Sequence, residues 1–153
     1  KIRRDRAQSL LKSFGINELA SRRAAVLSGG ERRRVELVRA FAPKPAVLLV
    51  DEPFAGLDPM AVESVCSLLK NVADQGVGVL FTDHDVRQSL ALCHRVYILK
   101  DGRRICAGLP DDVVRDPVAC AEYFGENVDI PVAPFCAEDV RSLRVVRTEE
   151  KAE

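Results

Sequence analysis

Tryptophan is absent from this chain, methionine occurs once, and histidine stands only at positions 84 and 94. Two histidines leave little for a metal centre built on imidazoles. The five cysteines (66, 93, 106, 120 and 136) are odd in number, widely spaced and never in a C-x-x-C pair. That pattern speaks against a zinc site or a disulfide framework and for reduced, mostly buried thiols. Long apolar runs are also missing: "AVLLV" at 46–50 falls far short of the ~20 residues that cross a bilayer. No basic-then-apolar segment of the signal-peptide kind opens the chain. It therefore reads as cytosolic, with any membrane association made through a partner. Lys+Arg and Asp+Glu both count 23, so no charge bias points to nucleic acid. What remains is 153 residues, 47% hydrophobic and 30% charged, enough for one globular domain with a genuine core.

Periodicity gives an alternating order of elements. Ala7, Leu10, Leu11 and Phe14 follow helical spacing, and Gly15 is a natural stop, which predicts a helix over 4–14. A second helix opens at Ser28 and ends near "APKP", where Pro43 and Pro45 forbid continuation. "AVLLVDE" is a continuous apolar run closed by two acids, as in a strand buried on both faces. Asp58-Pro59 reads as an N-cap with proline at the first helical position, and that helix runs to about Asp74 with Gly76 at its end. "VGVLFTDH" is a second buried strand, followed by a short helix from about Val86 to Cys93. "RVYILKDGRRICAG" alternates around Asp101-Gly102, a hairpin signal. A last helix is expected from Asp111 to Phe124. These alternations predict an α/β fold with a parallel-strand core flanked by helices, then a hairpin and a helix. From Glu126 the pattern degrades, and 126–153 reads as a loosely held tail.

In open α/β sheets ligands gather at the carboxyl ends of the strands. Both apolar strands end in polar residues, Asp51 and Glu52 on one, Asp83 and His84 on the other. Phosphoryl transfer uses such parts: a carboxylate for Mg²⁺, a second to orient or deprotonate water, and a donor near the γ-phosphate. The start of the second helix is unusual. Ser28 and Glu31 have the S-x-x-E spacing of a capping box, yet Gly29 and Gly30 occupy the first turn. Each glycine lowers helix propensity by a few tenths to ~1 kcal/mol. A helix N-terminus attracts phosphate, and glycines let its bare N–H groups come close.

"LSGGE" (27–31), "VLLVDE" (47–52), "AGLD" (55–58) and "TDH" (82–84) resemble, in order and spacing, the signature, Walker B, D-loop and H-loop motifs of ATP-binding cassette ATPases. The resemblance covers roughly 1–125 and implies a partial P-loop NTPase fold. Residues 1–45 would end the helical subdomain and carry the signature helix; 46–125 would run from Walker B to the C-terminal helix. It further implies that Asp51 holds Mg²⁺ through water, Glu52 is the general base and His84 contacts the γ-phosphate. Ser28, Gly29, Gly30 and Glu31 would meet ATP held by a second copy in a head-to-tail dimer, with Asp58 linking the two sites. "LSGGERRRVE", "DEPFAGLDP" and "GVGVLFTDHDVRQSL" resemble ATPase subunits of lipopolysaccharide exporters, and less closely those of branched-chain amino acid importers. That implies transmembrane transporter subunits as partners and a peripheral place on the inner membrane.

The family's Walker A loop, G-x-x-x-x-G-K-[ST], has no counterpart, and the chain contains no "GK" dipeptide. The Q-loop is missing as well. The expectation is a portion of a longer ATPase that is inactive alone. Two rivals are weaker. A chromosome-maintenance ATPase would need heptads before the signature motif, and residues 1–26 have none. A non-catalytic module would have no use for Asp51, Glu52 and His84 together.

Overall fold

The computed structural model describes residues 2–124 and 143–147. The chain divides into two compact units, residues 1–48 with 54–77, and residues 49–53 with 78–153.

The first unit is helical. Helix α1 (Ile2–Ser13) ends as its glycine requires: Gly15 has φ +65, its N–H donates to the Lys12 carbonyl, and the Ile16 N–H reaches back to Leu11. Ile16 then drops into the core at 1% exposure. Helix α2 (Gly29–Phe41) buries Leu37, Val38 and Phe41, and helix α3 (Pro59–Asp74) buries Val65, Leu68, Leu69 and Val72. Burying each of these side chains contributes about 1.5–3 kcal/mol. Phe41 also meets the Phe14 ring edge-on, with centroids 5.0 Å apart.

The second unit is built on a sheet of order β1-β2-β5-β3-β4, from the 49–51 part of strand β1 (Val47–Asp51) and strands β2 (Gly78–Thr82), β3 (Arg95–Lys100), β4 (Arg103–Gly108) and β5 (Leu143–Arg147). Strand β5 runs parallel to both β2 and β3, and β3 with β4 forms the antiparallel hairpin. Asp101 (φ 48) and Gly102 (φ 72) make its two-residue turn, both central residues being left-handed as that tight turn demands. Helix α4 (Val86–Leu92) follows β2, and α5 (Pro110–Arg115) follows the hairpin.

Three expectations are corrected. Strand β1 is not buried on both faces: Leu48 and Val50 are inside, while Val47 and Leu49 are 56% and 71% exposed. Nothing among the described residues covers that face. The helix expected over Asp111–Phe124 is broken, because Pro117 cannot continue α5. Asp116 instead caps a new start, its carboxylate accepting from the Val118 and Ala119 N–H groups, and the chain runs on through α6 (Pro117–Ala119) and a wide turn, Cys120–Phe124. Finally, β5 arises inside the stretch read as a loose tail; the rest of 126–153 lies outside the described residues.

Candidate active site

In the second unit the carboxyl ends of β1 and β2 lie side by side, tied by Thr82. Its hydroxyl donates to Asp51 Oδ1 and accepts from the Glu52 N–H at 3.2 Å, while its carbonyl accepts from the same N–H at 3.1 Å. This clamp holds Glu52 at φ 41, a left-handed backbone that costs a glutamate of order 1–3 kcal/mol and survives only when its surroundings impose it. The turn out of the strand aims the Glu52 carboxylate towards His84, whose Nδ1 is 3.6 Å from Glu52 Oε1. Both side chains are about half exposed, so water reaches them. Asp51, Glu52 and His84, chosen from sequence, are thus brought together. Thr82 was quoted only as part of a motif; its role rests on a contact 31 residues away in sequence, which local pattern does not reveal.

Asp83, by contrast, is buried, 4% exposed. Burial pushes its carboxyl above the ordinary carboxylate value, opposed by a bond from the Asp85 N–H at 2.6 Å.

Ser28, Gly29, Gly30, Glu31 and Asp58 are gathered in the first unit. The capping box is complete: Ser28 Oγ accepts from the Glu31 N–H at 3.2 Å, and Glu31 accepts from the Ser28 N–H at 2.8 Å. That bond, reinforced by the Arg22 guanidinium paired with Glu31, holds the Glu31 carboxyl below its ordinary value. Asp58 caps α3 by accepting from the Ala61 N–H at 3.0 Å. The N–H groups of Gly29 and Gly30 have no partner among the described residues, as expected for the first two positions of a helix. The two glycines differ, however. Gly30 is buried, and a Cβ there would lie 2.6 Å from Ala61 Cβ, so packing of α2 on α3 requires it. Gly29 is exposed, and a Cβ there would meet nothing nearer than Leu57 at 3.7 Å. Only at Gly29 does open access to the backbone stand as the reason for a glycine.

A Mg²⁺ site of modest kind fits these residues. The exposed Asp51 carboxylate, with one oxygen fixed by Thr82, suits an ion that takes one or two carboxylates and completes its shell with water and substrate phosphates. No cluster of three His, Cys, Asp or Glu side chains among the described residues offers a fuller cage.

The model of the ABC transporter family matches residues 2–55. The lipopolysaccharide export system ATP-binding protein LptB of Acidithiobacillus ferridurans is 44% identical over 128 residues, covering 84% of this chain and 53% of that protein. Its namesake from Escherichia coli K12 is 45% identical over 125 residues, covering 82% and 52%. The chain thus spans about half the length of these curated relatives. Among solved structures, the ADP conformation of MJ1267, an ATP-binding cassette of an ABC transporter, superposes with a TM-score of 0.71 at 27% identity, covering 80% of this chain and 50% of that one. CbiO1 from Clostridium perfringens, part of the ABC transporter complex cbiONQ, gives 0.68 at 33% identity over 77% of this chain and 47% of its own. The fold is accordingly a partial P-loop NTPase without a Walker A half. Aligned in sequence and in backbone with such cassettes over some 80% of its length, the chain carries a portion of an ATP-binding cassette ATPase domain.

Proposed function

We propose that this chain supplies the hydrolytic residues of an ATPase that powers a membrane transporter, and that the transported substrate is lipopolysaccharide. The observation that carries the hydrolytic part is the proximity of Glu52 and His84, 3.6 Å apart and both open to water, next to Asp51. Glu52, its backbone held by Thr82, accepts the proton of the attacking water. His84, through the nitrogen not facing Glu52, donates to the γ-phosphate. Asp51 holds Mg²⁺, which when bound offsets the charge of the phosphates. Ser28, with the Gly29 and Gly30 N–H groups at the α2 N-terminus, clamps ATP bound to a second copy, and Asp58 at the neighbouring α3 start couples the two sites. The lysine and loop amides of a Walker A motif come from a part of the ATPase outside these 153 residues.

The substrate reading is supported by relatives named for lipopolysaccharide export at 44% and 45% identity. Among the described residues no helix is long and apolar enough to cross a membrane. On this reading attachment to the inner membrane runs through transmembrane partner subunits. The test is Glu52→Gln in the ATPase that joins this sequence to a Walker A half. Steady-state hydrolysis should fall about 10²-fold or more while ATP affinity persists; hydrolysis kept within a few-fold removes Glu52 from the base role. For the substrate, depletion of this ATPase in a cell should halt delivery of lipopolysaccharide to the outer membrane, and normal delivery refutes the assignment.

A further inference from the structure

His84 sits on a turn whose two neighbours are both held from beneath. Asp83 Oδ1 accepts from the Asp85 N–H at 2.6 Å, closing a tight side-chain turn around His84. The Asp85 carbonyl in turn accepts from the Ser89 N–H at 3.1 Å, tying the turn to helix α4. The second oxygen of Asp83 and the hydroxyl of Ser89 are both buried, and neither finds a hydrogen-bond partner among the described residues. Both residues line one cavity of about 20 Å³, whose other walls include Val86, Leu90, Val96 and Ile98. A buried carboxyl beneath apolar walls costs several times what it would at the surface, so its retention at this point calls for a compensating role.

We infer that Asp83 is a positioning residue for His84: its buried carboxyl locks the Asp83–Asp85 turn, which the Asp85 carbonyl joins to α4 through the Ser89 N–H. This rests on the hydrolytic reading of His84 given above. The carboxyl acts by geometry, because Oδ1 serves as acceptor whether or not the group carries a proton. Asparagine keeps that acceptor; leucine keeps the volume and loses the acceptor.

Two measurements test it. In the 153-residue chain, with only two histidines, the His84 ring signals are assigned by NMR from their loss in His84→Ala. Asp83→Leu should broaden or double them, and Asp83→Asn should restore the unaltered pattern. Unchanged His84 signals in Asp83→Leu overturn the inference. In the ATPase containing a Walker A half, Asp83→Leu should lower kcat at least ~10-fold, as misplacement of a catalytic group does, with ATP affinity kept within about 3-fold. Asp83→Asn should recover most of that loss. In a His84→Ala background Asp83→Leu should cost nothing further, whereas a full additional loss overturns the inference. If His84→Ala alone leaves hydrolysis unchanged, the hydrolytic reading fails instead, and the ring signals still decide what Asp83 does. Should Asp83→Leu not fold, exchange of the Asp85 amide in the unaltered chain decides: slow exchange supports the locked turn, and exchange at the rate of an open loop overturns it.

Discussion

Replacing Gly30 by alanine puts a methyl carbon 2.6 Å from Ala61 Cβ and 3.5 Å from Ala61 Cα. Ordinary contact between such atoms begins near 3.4 Å, so α2 and α3 must separate by close to an ångström at their crossing. The neighbour is a rigid methyl beside backbone, with no rotamer to yield. Overpacking of this kind costs about 1–3 kcal/mol. Alanine returns at most about 0.5–1 kcal/mol of helix propensity. From the middle of each range the net is a loss of about 1 kcal/mol, or roughly 2–4 °C in Tm for a chain of this size. Gly29→Ala meets nothing closer than 3.7 Å and should be neutral or slightly stabilising. Urea unfolding of the 153-residue chain, followed by circular dichroism, measures both. Ala61→Gly should restore Gly30→Ala to within about 0.5 kcal/mol of the Ala61→Gly single variant, because the clash is one contact shared by the pair. Gly30→Ala as stable as the unaltered chain, or no rescue by Ala61→Gly, refutes the packing explanation and returns Gly30 to the access role.

Thr82→Val keeps the shape of the clamp and removes a hydroxyl bonded to Asp51 and to the Glu52 N–H; we expect about 1–2 kcal/mol less stability by urea unfolding, and no loss refutes the clamp. Asp58→Ala removes the α3 cap and should cost about 0.5–2 kcal/mol in the same assay, with Asp58→Ser recovering most of it. Glu31 has a folded-state pKa below its ordinary value of 4.5, so its contribution to stability is complete above pH 4.5 and fades as the pH falls through the lower folded-state value. Glu31→Gln should therefore lose less stability than the unaltered chain between pH 6 and the acid limb, and identical acid profiles would show that the capping carboxylate carries no pH dependence.

What the sequence discloses here is what short-range chemistry governs. Ser28 with Glu31, Asp58 with Pro59, and Asp101 with Gly102 each form their device within four residues, and each stands as read. The acids at the end of "AVLLVDE" and the histidine of "TDH" were legible because polar groups closing an apolar strand fall at the carboxyl edge of a sheet. Contacts distant in sequence were not legible. Thr82 reaches Asp51 across 31 residues, and Gly30 meets Ala61 from another helix. The apolar run of β1 suggests cover on both faces, yet what lies over Val47 and Leu49 cannot be inferred from the run itself. Strand β5 escaped notice because "LRVVR" has neither a continuous apolar run nor strict alternation, and only its neighbours β2 and β3 reveal it as a strand.

The central claim, that Glu52 performs the proton abstraction for ATP hydrolysis, is tested most directly by the chemical identity of the bound nucleotide. The ATPase joining this sequence to a Walker A half is given radiolabelled Mg-ATP, separated from free nucleotide within seconds, and the retained label is resolved as ATP or ADP. With Glu52 intact the retained label should be mainly ADP. With Glu52→Gln it should be mainly ATP at undiminished occupancy, since binding survives and the proton acceptor is gone. Retained ADP at the same rate of appearance in both proteins would contradict the account.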